Sequence, residues 1–352
     1  MAQINKPDEY FNTLTWSGDS SSPKTFTVGF QPDLIWGKLR NTAYNHQLYD
    51  SVRGFGNNKD LQSSQTTAEG GGTADQYGYI SGVTSTGFTA TKGSDSGADG
   101  YGYWNESSRT YVAWNWLGAN GTASNTDGSI TSTVSANTTS GFSIVSYTGN
   151  GTNGATIGHG LGATPKLIIF KRLDTGDWVV YHEVLGSNNY LTLNATDASL
   201  PATGICNPNS TNIVLPTSYT GTNSTAGMIA YCFAEKKGFS KFGSYTGNGS
   251  TDGTFVYTGF KPAFVLIKNI TTAGEHWHMA DNKRDTDNAV SKWLLANASG
   301  AEFTIDICDF VSNGFKIRTS SQGTNQSGAS FIYMAFAEEP LVGTNNIPAT
   351  AR

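Results

Sequence analysis

The feature that most constrains this chain is a long internal repeat. Residues 244–268 read SYTGNGSTDGTFVYTGFKPAFVLIK, residues 146–171 read SYTGNGTNGATIGHGLGATPKLIIFK, and residues 15–38 give the looser TWSGDSSSPKTFTVGFQPDLIWGK. Each copy runs from a strand into a Gly-containing turn, then to a Gly and a Pro (Gly29 and Pro32, Gly162 and Pro165, Gly259 and Pro262). An apolar strand follows, closing on Lys38, Lys171 or Lys268. Further anchors keep the register. An aromatic-rich segment comes next: HQLYDS at 46–51, WVVYHE at 178–183, WHMADN at 277–282. A leucine then precedes an alanine by the same interval in all three: Leu61 and Ala68, Leu191 and Ala198, Leu294 and Ala301. The strand STGFTA at 85–90 returns as SNGFKI at 312–317 and is degraded around Thr211 to Leu215. The copies close on YVAWNW at 111–116, MIAYCF at 228–233 and FIYMAF at 331–336. Chance does not place so many anchors in one order.

A unit of roughly 100 to 115 residues is too long for a solenoid rung and the size of an independent domain. The reading is therefore three domains: 1–118, 119–237 and 238–352. The stretch 118–137, rich in Gly, Ser, Thr and Asn, is either a flexible linker or a bridging strand. The second boundary has almost no linker, because AEKKGFSKFGSYTG runs directly into the next first strand. Strand signals recur every 8 to 12 residues or so, and Asn150-Gly151 and Asn248-Gly249 supply hairpin turns. LIIFK and FVLIK are apolar throughout, as strands covered on both faces are, whereas TFTVGF alternates. Residues 285–299 alone have a helical look, and their counterparts in the other copies assign strand there too. The fold class is all-β, three tandem β-sandwich domains of jelly-roll or lectin-like kind, with about seven to ten strands each.

Composition bounds the function. The 352 residues include 42 Gly, 16 Tyr, 18 Phe and 8 Trp, with 14% charged, which argues for a folded chain and against a disordered tail. A net charge of −5 leaves no basic face to neutralise phosphates, so neither nucleic acid nor an acidic membrane is an expected partner. The start, MAQINKPDEYF, has no signal-peptide pattern and no run approaches a membrane span, so a soluble product made in the cytoplasm is expected. Cys206, Cys232 and Cys308 are widely spaced and odd in number, pointing to neither disulfides nor zinc.

Enzyme signatures are missing: no nucleophile elbow, phosphate loop or HExxH occurs. The expectation is no enzyme, no catalytic residue and no cofactor. Glycosidase-like work would need two carboxylates on one cleft, from Glu106, Asp50, Asp281, Asp306, Asp309, Glu338 and Glu339. His276 and His278 form an HxH that could hold a metal with Asp281 or Asp285, but the other copies lack it, and no metal is expected. Acidic turns at Thr126-Asp127-Gly128 and Thr251-Asp252-Gly253 could supply one or two of the roughly six to eight oxygen ligands calcium needs, and ordinary turn chemistry explains them equally well. The ligand-binding candidate is copy one's extra loop at 93–109, GSDSGADGYGYWNESSR, which sets Tyr101, Tyr103 and Trp104 beside Asn105 and Arg109. Exposed rings beside polar groups suit a pyranose. The alternative is that these aromatics cover the sandwich or pack on a neighbouring subunit.

The strings SYTGNGSTDGTFVYTGFKPAFVLIK, SNGFKIR and FIYMAFAEEP, with GFQPDLIWGK, LYDSVRG and YVAWNW in copy one, resemble a module of tail-fibre and other virion structural proteins of marine and freshwater bacterial viruses, cyanophages included. The resemblance runs from about Tyr10 to Pro340. It implies a place on the virion surface and leaves the role there open; the partners expected there are other virion proteins and a host surface glycan, with homo-oligomerisation, a trimer being one form of it. It carries over no catalytic residue. Long fibres usually join such modules to an attachment domain and a coiled coil or β-helix, whereas this sequence shows neither heptads nor fibrous repeats. A fibre or spike adhesin, a capsid decoration or head-fibre protein, and a polysaccharide-degrading spike follow in that order.

Overall fold

A computed structural model describes residues 3–343 and 348–350. The chain is all-β, with every paired strand antiparallel to its neighbours. Copy one holds β1 (Phe11–Ser17), β2 (Lys24–Thr27), β3 (Leu34–Leu39), β4 (Gln47–Asp50), β5 (Tyr79–Thr84), β6 (Gly87–Thr91) and β7 (Thr110–Trp116). A connecting pair follows, β8 (Ala123–Asn125) and β9 (Ser132–Asn137). Copy two holds β10 (Phe142–Thr148), β11 (Ala155–Gly158), β12 (Leu167–Arg172), β13 (Trp178–His182), β14 (Asn189–Thr192), β15 (Leu200–Pro201), β16 (Asn207–Pro208), β17 (Asn212–Leu215) and β18 (Gly227–Phe233). Copy three holds β19 (Ser240–Thr246), β20 (Phe255–Tyr257), β21 (Phe260–Asn269), β22 (Trp277–Asp281), β23 (Val290–Leu295), β24 (Phe303–Val311), β25 (Gly314–Ile317) and β26 (Ser330–Pro340).

The repeat in sequence is a repeat in topology. Each copy orders its first, last, third and fourth strands side by side: β1-β7-β3-β4, β10-β18-β12-β13 and β19-β26-β21-β22. In copies one and two a separate small sheet, β2-β6-β5 or β11-β17-β16, lies over the large one. In copy three the ladder continues through β23, β24 and β25 to β20 as a nearly closed barrel. The degraded segment near Thr211 still forms β17 and pairs with β11. Residues 285–299 contain β23, hydrogen-bonded to β22 and β24. The connection at 118–137 is a bridging element, since β9 pairs with β10 and β8 pairs with β9.

The apolar runs are continuous because each large sheet is covered twice. One face sends Ile35, Ile168 and Phe170, or Val265 and Ile267 into a core belonging to that copy alone. The opposite face sends Leu34 and Trp36, Leu167 and Ile169, Phe264 and Leu266 into a fourth core built by all three copies. The last strands add Val112, Trp114 and Trp116, then Ile229, Tyr231 and Phe233, then Ile332, Met334 and Phe336. Leu61, Leu191 and Leu294, the conserved-interval leucines, are fully buried there. The copies are therefore three sheets standing around one apolar axis, each burying a face it could not leave in water.

Cyclic hydrogen bonds seal the seams. The backbone N–H of Glu69 donates to Leu173 O (2.8 Å), that of Ser199 to Ile270 O (3.0 Å), and that of Glu302 to Arg40 O (2.6 Å), linking copy one to two, two to three and three to one. In the reverse sense Trp178 Nε1 donates to Gln62 O (2.9 Å) and Trp277 Nε1 to Thr192 O (3.0 Å). His46 stands at the equivalent position. Its Nδ1 accepts from Trp36 Nε1, which leaves Nε2 as the donor to Leu295 O at 2.9 Å.

A polar contact near the end of the fourth strand is present twice and replaced once. Asp50 accepts Tyr231 OH (2.8 Å) from copy two and Arg53 Nε (2.6 Å) from its own turn. Asp281 likewise accepts Trp114 Nε1 (3.0 Å) from copy one and Arg284 Nε (2.6 Å). The third site has His182 for the aspartate, Leu185 for the arginine and Met334 for the donor. Donor and charge pair are exchanged together, so the third site has no carboxylate to leave buried without a partner.

The three anchor lysines are buried at the same seams. Lys38 Nζ donates to Leu39 O, Lys171 Nζ to Arg172 O and Asp174 O, and Lys268 Nζ to Glu275 O and, across the seam, Thr196 O. Burial pushes the ammonium of Lys38 down to about 7 and those of Lys171 and Lys268 down to about 8.

Candidate functional site

The loop at 93–109 is a plug rather than a platform, which corrects the expectation of exposed rings. Trp104 is buried, stacked parallel to Trp16 with centroids 6.4 Å apart, and its carbonyl accepts Trp16 Nε1 at 2.8 Å. Tyr103 is buried and donates its hydroxyl to Gly72 O. Asn105 is buried and ties the loop to residues 19–21 through Asp19 Oδ1 (2.7 Å) and Ser21 O (2.8 Å). Tyr101 and Arg109 alone of the five remain partly exposed; Lys92 lies over the Tyr101 ring and Arg109 pairs with Glu106.

The physical cause is a missing side chain. In β3 the residue facing copy one's own core is Gly37, where β12 has Phe170 and β21 has Ile267. A Cβ on Gly37 would sit 2.3 Å from the Trp104 ring, so the glycine is the hole the indole fills. The repeat alignment carried that signal.

Most of the other candidates are tied up in structure, while Asp306 and Glu339 are exposed and Asp306 lines a shallow pocket with Asp309 and Arg318. Asp50 and Asp281 are locked at seams, Glu106 pairs with Arg109, Asp309 with Arg318 and Glu338 with Lys261. His278 is buried, its Nδ1 faces His276 O, and burial holds its imidazole down to about 4; Asn297 Nδ2 meets His276 Nδ1. No group of three or more His, Cys, Asp or Glu side chains among the described residues could hold a metal ion. Asp252 of the second acidic turn pairs with Lys316.

An open groove of about 700 Å³ lies between copies two and three. One wall is Lys166, Glu183 and Glu235 of copy two, the floor is Lys236 and Lys237 of the short connection, and the other wall is Lys241, Tyr257 and Gly259 of copy three. Lys166 pairs with Glu183 and Lys241 with Glu235, so four lysines face two glutamates. Sequence reasoning missed this groove because its walls come from different copies.

These features define an all-β protein of three topologically matched copies around one shared core, with an open, lysine-rich groove at one seam. The chain belongs to the family described as a domain of unknown function, DUF7483, whose profile matches residues 6–340 and so takes in all three copies as one unit. No curated protein and no solved structure matches it.

Proposed function

We propose that the protein is a non-enzymatic structural protein of the surface of a bacterial virus, a fibre or spike adhesin made in the host cytoplasm and contacting a host surface glycan. Its copies are read as three β-sandwich modules of jelly-roll or lectin-like kind. The observation that carries this is the shared core: a single chain closes three equivalent sheets around an axis, the arrangement that a trimeric spike obtains from three subunits. The threefold expected of a homotrimer is thereby supplied internally. Of the loop, Tyr101 and Arg109 remain available to a sugar; Tyr103, Trp104 and Asn105 act by holding the loop in place.

A capsid decoration or head-fibre role is the second reading, favoured by the open groove, which suits contact with another virion protein. The degrading-spike reading is weakest, because the candidate carboxylates Asp50 and Asp281 are buried in ion pairs with Arg53 and Arg284. Electron microscopy of intact virus particles with an antibody against copy one tests the proposal. Label at fibres or tail tip is expected. Regular label over the head would favour decoration, and particles without label would overturn the virion assignment.

A further inference from the structure

The groove between copies two and three has two counterparts, because the copies are related cyclically. At the seam of copies one and two, the corresponding space is filled by β9. This strand pairs with β10 in the register Phe142↔Asn137 to Ser146↔Thr133. Ser135 Oγ of β9 donates to Asp33 Oδ1 (3.2 Å), Asn137 Nδ2 donates to Gly118 O (3.1 Å), and Gly160 lets Ala136 approach so closely that a Cβ there would lie 3.0 Å from it. At the seam of copies three and one, the corresponding residues Phe11, Asn12, Ala263 and Asn282 line a space of about 40 Å³, and the turn at Pro7–Glu9 packs against β1 and β26. Among the described residues, the copy two and three seam is the open one of the three.

Its walls match the filled seam position by position. β19 corresponds to β10, since Ser240 pairs with Phe336 as Phe142 pairs with Phe233. Gly160, rather than Gly162, is the structural counterpart of Gly259, since Ile157 pairs with Ile213 as Val256 pairs with Phe315, and both glycines have positive φ (71° and 81°). Lys166 precedes β12 as Asp33 precedes β3. The free edge of β19 is in bonding condition. Phe239 O accepts Ala337 N and Gly247 N donates to Ala329 O, so the alternate residues Phe242 and Ser244 turn their backbone groups away from β26. No backbone partner for those outward groups exists among the described residues.

We infer that this groove is a strand-acceptor site, and that it takes an extended, acidic segment of a partner protein, which adds to β19 as β9 adds to β10. The chemistry of the occupant follows from the charge of the walls. Asp33 receives a hydroxyl donor from β9, whereas the groove has Lys166 in its place, paired with Glu183; with Lys241 paired to Glu235, Lys236 and Lys237 leave the lining net positive and favour an acidic segment. Backbone hydrogen bonds supply affinity and the lysines supply selectivity, as in β-strand addition generally. The inference rests on the internal comparison and stands whether or not the protein belongs to a virion.

The test uses the full chain and two fluorescent peptides based on β9, one with its own sequence STVSAN and one with Asp at the place of Ser135, each extended by flanking threonines. The acidic peptide is expected to bind saturably by anisotropy, about threefold or more tighter than the parent. Lys166→Glu should reverse that preference. Ser244→Pro should abolish binding of both, because it removes an outward amide while leaving the bonds to β26, a place where an edge strand tolerates proline; an unchanged far-ultraviolet spectrum confirms its fold. Absence of saturable binding by either peptide would overturn the inference. So would binding that survives Ser244→Pro but disappears in Lys166→Glu, since that would identify a site for anions in general rather than for a strand.

Discussion

Replacing Leu191 by alanine asks whether the three copies are one folding unit. The side chain is fully buried in the core that all three copies share. Truncating a buried leucine costs about 2–5 kcal/mol, and about 3 kcal/mol is a fair central value. Unfolding entropy near 60 °C is about 2.1 cal/mol/K per residue, so if all 352 residues melt together it reaches about 0.7 kcal/mol/K. The melting temperature then falls by about 4 °C in a single transition. If each copy melted alone, its entropy would be about a third as large, and one transition in three would fall by about 12 °C while the other two stayed. Scanning calorimetry of Leu61→Ala, Leu191→Ala and Leu294→Ala decides it. The shared core predicts one endotherm displaced by similar small amounts in all three variants. Three resolved endotherms, each moved by a different variant, would refute the argument.

Other perturbations are aimed at single contacts. Tyr231→Phe removes the hydroxyl that Asp50 accepts and is expected to cost about 1–3 kcal/mol in urea denaturation, whereas Met334→Leu, at the equivalent apolar seam, should cost less than about 1.5 kcal/mol. Trp104→Ala should destabilise by about 3–5 kcal/mol, as loss of a core residue does, and Gly37→Ala should destabilise through the clash with the same ring; wild-type stability in either would contradict the plug. Arg109→Ala should leave the melting temperature nearly unchanged and lower any measurable glycan binding. The buried lysines make stability depend on pH. Below about 7 folded and unfolded chains both hold the Lys38 proton, so the full burial cost stands. Between about 7 and 10.5 the unfolded chain holds more of it, so stability rises with pH. Lys38→Met should flatten that rise relative to wild type between pH 7 and pH 9, measured by urea midpoints; an unaltered slope would mean the lysine is solvated in the fold.

Much of the site was less legible than the fold. Period and anchors gave the strand order's repeat, and the all-apolar LIIFK and FVLIK announced sheets covered on both faces. The glycine in LIWGK, set against Phe170 and Ile267, marked where a foreign ring had to enter, yet the loop's Tyr103 and Trp104 read as surface aromatics because local composition there is Gly, Ser and Asp. Burial of an aromatic in a loop is a long-range property, decided by Gly37 on a strand far away in sequence.

By itself the sequence determined what each strand needs: alternating or continuous apolar faces, turns with positive φ, and the same needs met three times over. Only tertiary structure decided that the second apolar face of each copy would be satisfied by the other two, and that Lys38, Lys171 and Lys268 would lie buried at the seams. It also decided that β9 would fill one groove and leave another open. Periodicity reports which face is apolar but not what covers it, because burial is set by the packing of residues distant in the chain.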